Sequence, residues 1–413
     1  MNVIDHTLLP AFVSTIDALG GPGDPRVDDY WRDIVYSPAT RVDTDLDPFD
    51  DAYLAAQLAL YQEISGRRLD QSLNEHTVFD RTAHLDARNP YNHGDPAALA
   101  TQIVQLATAM RLARPRRGGR MVDMGCGWGL SSEFASYIGL EVEAVDINRD
   151  FVRLVQERSE RYGYGITTAH ASFDGYVSET PVDLFLFYEC LHHAVEPWAV
   201  IARLAAMLAR DGKIVACGEP INTHWWPHWG LRLDPMSLYC IHKHGWFESG
   251  WSEQFLTRCF DRALLNVAVV TDPDPRIGQF LVASRDDMLD IAWLARNIVI
   301  EGGLIDGPYV VAVATTRLRF LTRIAGGRNY LVVHNFRPRP VQTMMRRDGG
   351  AARPITLVPG ENRLVLDAIE VGTTLDFKSD TWQPSKEIGN LDTRKLAFHI
   401  SGIIPQGRYA AAS

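Results

Sequence analysis

The sequence predicts an α/β protein built around a doubly wound, mostly parallel sheet of seven strands, with a helical extension before it and a small antiparallel β-sandwich after it. Three observations predict this. Strand and helix patterns alternate from residue 120 to 285, as in a sheet covered on both faces. At 122–129 an apolar strand end runs into a glycine-rich turn that opens a helix, the usual start of a ligand-binding βα unit. Beyond Asp286, short strand-like runs alternate with Gly, Pro, Asn and Asp turns, the texture of antiparallel sheet.

Residues 1–95 read as a helical extension, because Leu54, Leu58, Tyr61 and Ile64 recur at helical spacing between Pro and Gly breaks. The α/β domain spans 96–285. Asp95-Pro96 caps and opens a helix through Ile103, Leu106 and Met110. Strands follow at 121–124, 141–146, 166–169, 183–188, 213–217, 265–270 and 279–283, and a helix over 198–209 stops at Asp211-Gly212. The stretch 219–262 is an aromatic-rich insertion. A helical linker is expected over 286–325, and a β-rich domain over 326–413 with strands at 330–336, 355–358, 363–366 and 395–400.

A chain of 413 residues with 46% hydrophobic and 22% charged residues has ample core and no disordered signature. The net charge of −10 repels polyanions, so nucleic acid is not an expected partner. The basic run 111–120 reads as a solvated helix end. Five cysteines without a C-x-x-C pair suggest neither a disulfide framework nor a thiolate metal site, and a reducing cytoplasm is expected. Charged and proline residues interrupt 1–19, so no secretory leader or membrane span is expected.

In Val122-Asp123-Met124-Gly125-Cys126-Gly127-Trp128-Gly129 the glycines are spaced G-x-G-x-G. A nicotinamide dinucleotide site wants its third glycine three places after the second, where this chain has Leu130. Asp123 is ill placed beside a pyrophosphate and well placed beside a cationic amine. Asp146 ends the second strand at the distance where nucleotide sites present a carboxylate to ribose hydroxyls. Through V-D-M-G-C-G-W-G, A-V-D-I-N, D-L-F-L-F-Y-E-C-L-H-H and the D-G-K-I-V strand, the chain resembles the class I S-adenosylmethionine-dependent methyltransferase family, whose sheet is Rossmann-like. The resemblance implies S-adenosylmethionine as cofactor, with Gly125, Cys126, Gly127 and Gly129 around its methionine part and Asp123 steadying its amine. It implies Asp146 and Ile147 at the ribose, Phe173 and Asp174 at the adenine, and Glu189 at the edge of the cofactor.

Methyl transfer from a sulfonium needs alignment and, for an alcohol, a base. Glu189, His192 and His193 leave the fourth strand at the edge where such sites lie. His193 is the first choice for the base, His192 the second, and backbone-orienting roles are the bland alternative. A metal trio of Glu189, His192 and His193 stays a minor alternative, and no metal is expected. In the insertion, Glu219, Trp225, Trp226, Arg232, Asp234, Tyr239 and His242 offer stacking faces and polar groups suited to a sugar; core aromatics are the alternative.

Residues 89–93, the W-G-L-R-L-D-P-M-S-L-Y stretch and the tail F-K-S-D-T-W-Q-P-S-K-E also look similar to bacterial proteins of glycan and polysaccharide assembly. The expectation is O-methylation of a sugar or glycan hydroxyl in polysaccharide biosynthesis, in a chain able to homo-oligomerise. A small-molecule O- or N-methyltransferase of secondary metabolism is the alternative. A non-catalytic glycan-binding protein on the same scaffold is the second.

Overall fold

The computed structural model describes residues 2–75, 78–91, 94–324 and 328–406. Two compact units emerge: one of 1–207, 213–259 and 269–282, the other of 208–212, 260–268 and 283–413. Among the described residues no helix is long and apolar enough to cross a membrane.

The seven-stranded sheet consists of β1 (Arg120–Met124), β2 (Glu141–Asp146), β3 (Thr167–His170), β4 (Val182–Tyr188), β5 (Leu208–Cys217), β6 (Asn266–Thr271) and β7 (Gln279–Ser284). Their spatial order is β6-β7-β5-β4-β1-β2-β3. β1 runs parallel to β2 and β4, and β2 parallel to β3. The Val-Asp-Leu-Phe-Leu-Phe-Tyr run of β4 is buried at all but one position, because a central parallel strand is covered on both faces. Asp146 and Tyr188 therefore reach the same edge as the turn after β1.

The flanking helices start on side-chain caps. Asp95 accepts from Ala97 N at 2.8 Å ahead of Pro96–Ala113, and Asn148 accepts from Asp150 N at 2.9 Å ahead of Arg149–Tyr162. The latter helix stops at Gly163 in the left-handed conformation. Helix Pro197–Met207 ends before the expected Asp211-Gly212 stop, since the chain has already joined β5.

The insertion folds as a two-stranded pair, Trp229–Leu231 against Ser249–Trp251, with helix Pro235–His244 between them. Helix Asp51–Ser65 of the N-terminal extension holds it through its main chain. Tyr53 donates to Trp229 O at 2.5 Å, Gln57 Oε1 accepts from Leu231 N at 3.1 Å, and Tyr61 donates to Gly245 O at 2.5 Å.

The second unit carries β8 (Ile298–Asp306), β9 (Tyr309–Phe320), β10 (Arg328–Asn335), β11 (Val341–Arg347), β12 (Arg353–Leu357), β13 (Gly360–Leu366), β14 (Thr374–Ser379) and β15 (His399–Gln406). They form one antiparallel sheet, ordered β12-β11-β14-β9-β15-β10-β13 with β8 on β9. The strands share one apolar core that includes Trp293, Phe320, Leu331, Phe377 and Phe398. The expected helical linker is a correction: helix Ile291–Asn297 is short, and the rest becomes the β8–β9 hairpin. Val and Ile recur in the first arm and Val and Thr in the second, and a bulge between Glu301 and Gly303 hides the alternation. Gly302 sits at φ +66, where a Cβ would stand 2.2 Å from Thr315 O, so only glycine fits the bulge.

Candidate active site

The turn after β1 is tied down on both sides. Gly125 N and Cys126 N both donate to Val145 O, at 2.8 and 2.9 Å. Gly125 lies at φ +69, and a Cβ would stand 2.9 Å from that of Cys190, so the turn and the chain after β4 touch because no side chain intervenes. Asp123 faces inward, not toward the cavity. Its buried carboxylate accepts from Ser131 Oγ at 2.6 Å and Ser132 Oγ at 2.5 Å, fixing the start of helix Leu130–Tyr137. Burial, opposed by these two hydroxyls, pushes its acid up to about 6.

A cavity of about 420 Å³ opens where β1, β2, β3 and β4 end, the crevice in which open α/β sheets bind ligands and a volume suited to a nucleoside. Gly125, Cys126, Gly127, Asp146 and Ile147 line it, whereas Gly129 does not. Asp146 Oδ2 accepts from Gly127 N at 2.9 Å and Oδ1 from Asn148 N at 2.8 Å. Each oxygen keeps a lone pair for a further donor. Burial raises the Asp146 pKa, and the two N–H groups work against that rise. His170 Nε2 contacts Ile147 O at 2.8 Å and holds the adjacent backbone.

Phe173 lines the far wall edge-on to Phe187, with centroids 5.4 Å apart, and Asp174 stands exposed at the rim. Trp128 does not block the turn. Its ring stacks on His84 at 3.9 Å and meets Phe79 and Phe151 at 4.5 and 4.8 Å, making an aromatic wall. Buried Arg158 donates to His84 O and Ala87 O at 2.8 and 2.9 Å and pairs with Glu133 at 2.5 Å.

The opposite end is polar. Glu189, at φ +53, lines the cavity and is exposed there. Burial and the nearby Glu219 push its acid up to about 7. His193 lines the cavity, with Nδ1 3.1 Å from Phe247 O and 3.5 Å from Glu75 Oε2. Burial disfavours its charged form, but Glu75, Glu248 and Glu219 outweigh it and raise the pKa. His192 lies behind, its Nδ1 2.9 Å from Glu219 Oε2.

The insertion candidates sit elsewhere. Glu219, buried, accepts from Cys190 N at 3.1 Å, Leu191 N at 2.9 Å and His192 N at 3.1 Å, so it shapes the turn after β4. Trp226 donates to Leu231 O at 2.7 Å, and Arg232 pairs with Asp234, which caps helix Pro235–His244. Tyr239 donates to Asp17 at 2.6 Å, His242 Nδ1 contacts Ile64 O at 2.8 Å, and Trp225 meets His224 edge-on. None of these seven lines the cavity.

Residues that sequence reasoning passed over take their place: Gln71, Glu75, Tyr91, Phe151 and Trp246. Gln71 Nε2 donates to His193 O at 2.6 Å, and Glu75 Oε1 accepts from Phe247 N at 2.9 Å. No motif marks them; the signals in the sequence are the acid at 75 and the tryptophan at 246, inside the aromatic-rich insertion. Asn92 and His93, part of the 89–93 stretch, lie outside the described residues.

A family model described as a methyltransferase domain matches residues 91–268. Ubiquinone biosynthesis O-methyltransferase of Xanthomonas euvesicatoria pv. vesicatoria is 31% identical over 115 residues, covering 27% of this chain and 46% of that one. The protein of the same name from a Caulobacter strain is 29% identical, covering 24% and 41%. The chain thus spans less than half the length of these curated relatives. Among solved structures, the 1,6-didemethyltoxoflavin-N1-methyltransferase of Burkholderia thailandensis is 20% identical with a TM-score of 0.37, covering 50% of this chain and 85% of that one.

Proposed function

Residues 91–268 are a methyltransferase domain of the class I S-adenosylmethionine-dependent type, and from that premise we propose that the chain transfers the sulfonium methyl group to a hydroxyl of a small acceptor. The observation that carries this reading is the Asp146 carboxylate, lining the cavity beside the Gly125–Gly127 backbone and fixed by two N–H donors. Gly125, Cys126 and Gly127 hold the methionine part, Asp146 and Ile147 the ribose, and Phe173 with Asp174 the adenine. Asp123 and Gly129 act through the shape of the turn.

In the reaction the acceptor oxygen attacks the methyl carbon, the S–CH₃ bond breaks and the O–CH₃ bond forms. The sulfur leaves as a neutral thioether, and the acceptor proton passes to a base. Glu189 fits that role best among the three candidates, because its carboxyl reaches the cavity and its pKa of about 7 matches neutral operation. His193 and Glu75 face the same space and orient the acceptor.

The acceptor class follows from the wall. Trp246 and Tyr91 flank Gln71, Glu75 and His193, so an apolar face with several hydroxyls fits, whether a hydroxylated ring or a sugar. The sugar reading rests on this mixture alone, since Trp225, Trp226 and the polar groups near them stand outside the cavity. Calorimetry with S-adenosylhomocysteine tests the cradle: Asp146→Ala should weaken binding by about 100-fold, the worth of two charged hydrogen bonds, in a variant whose cooperative unfolding transition shows it folded. Unchanged affinity would overturn the assignment. Labelled methyl transfer onto a panel of phenols, sugars and amines then identifies the acceptor.

A further inference from the structure

We propose that His192, His193 and Glu248 bind a divalent first-row transition-metal ion at the acceptor end of the cavity. One ligand atom from each lies within 4.8 Å of the others. Two ligands about 2.1 Å from a tetrahedral metal stand about 3.4 Å apart, and His192 Nε2 is 3.6 Å from Glu248 Oε2. That pair already has the spacing. His193 needs roughly an ångström of side-chain movement to complete the set.

The outer contacts favour the same use. A metal-bound histidine commonly gives its other ring N–H to a carboxylate or carbonyl, which fixes the tautomer. His192 has Nδ1 on Glu219, itself held by three backbone N–H groups, and His193 has Nδ1 on Phe247 O. Each Nε2 is thereby left as the lone-pair atom.

Glu248 supplies an independent observation. Its side chain is only 8% exposed, with His192 Nε2 at 3.6 Å and Arg232 Nη1 at 3.7 Å as ion-pair neighbours. Its main-chain carbonyl accepts from Arg232 N at 2.9 Å, so the carboxylate is held on the face it shares with His192. A buried carboxylate is costly without a close cation; Glu219 and Glu75 lie against the same two histidines, and Arg232 is shared between Glu248 and Asp234. A divalent ion compensates that surplus of carboxylates.

Two imidazoles and one carboxylate suit zinc, cobalt, iron or manganese, whereas magnesium wants oxygen donors. Three protein ligands leave a position for an outside oxygen, and His193 faces the cavity. This last step rests on the methyl-transfer reading: an acceptor hydroxyl bound there becomes more acidic and gives its proton to Glu189.

The test uses the full chain, stripped with a chelator and titrated with Co²⁺ under visible absorption and calorimetry. We expect one equivalent bound with a tetrahedral-type spectrum, and affinity lowered by roughly 100-fold or more in Glu248→Gln and His192→Ala. Both variants should keep wild-type affinity for S-adenosylhomocysteine, which shows them folded. Absence of Co²⁺ binding at millimolar concentration, or binding indifferent to Glu248→Gln, overturns the metal site. Co²⁺ binding by a chain that takes no S-adenosylhomocysteine would support the metal site while removing the methyl-transfer reading.

Discussion

The β unit and the cavity end of the α/β unit bury polar groups in opposite ways. In the β unit the buried polar side chains are mainly neutral: Thr316, Asn329, Asn335, Thr343 and Thr373. Its buried acid Asp261 is matched by a two-pronged Arg296, at 2.9 and 2.8 Å. Around the cavity, Asp123, Asp146 and Glu248 are buried with hydroxyls, N–H groups or distant cations as company. The first arrangement maximises stability. The second spends some of it to hold charges ready for something that is not protein, which is where perturbed titrations cluster in enzymes.

Five measurements can break or sharpen that contrast. The largest effect is expected at the cavity: Glu189→Gln should lower turnover by about 10²- to 10⁴-fold with cofactor affinity unchanged. In the wild type kcat/KM should climb with pH through about 7, because the base works only when deprotonated. A profile flat across that range would remove Glu189 from proton transfer. In the β unit, Trp293→Ala should cost about 3–5 kcal/mol in denaturant unfolding, by loss of a fully buried side chain from the core. A loss below about 1 kcal/mol would mean that this core is not close-packed.

The weakened cofactor binding of Asp146→Ala ranks beside these. Asp123 comes last, because its effect is read only as a dependence of stability on pH. Its folded pKa of about 6 lies above the 3.8 of a free aspartate, so the native state favours the protonated acid. Stability from that group is fully present below about pH 4 and is lost as the pH rises through 6, to a total of about 3 kcal/mol. Asp123→Asn should abolish this dependence, so the unfolding free energy of the variant minus that of the wild type should rise from pH 4 to pH 7, by about 3 kcal/mol. A constant difference would show that Asp123 titrates normally.

Much of the fold was legible because its signals are local. β4 declares itself by an apolar run, and the turn after β1 by glycines, one of which is required by contact with Cys190. The β8–β9 hairpin was missed because the bulge at Gly302 interrupts its alternation. At the site, Asp146 stood out at the end of a strand and His193 just beyond one, whereas Gln71 and Glu75 come from a short N-terminal helix and the residue after it. Their approach to Phe247 and His193 spans more than a hundred residues, and no local periodicity encodes it. The insertion misled for the opposite reason. Its tryptophans and charged groups look like a ligand surface in sequence, yet Trp226, Arg232 and His242 spend their polar atoms on the insertion's own architecture and on Ile64.

Tyr53, Gln57 and Tyr61 grip the insertion by its carbonyls and amides. Such a grip reads the main chain, and it leaves no room for a side chain at Gly230, where a Cβ would stand 2.4 Å from Gln57 Nε2. Elsewhere along that stretch, side chains can change while the clamp goes on recognising the same peptide backbone, with Trp246 carried to the cavity wall at its end.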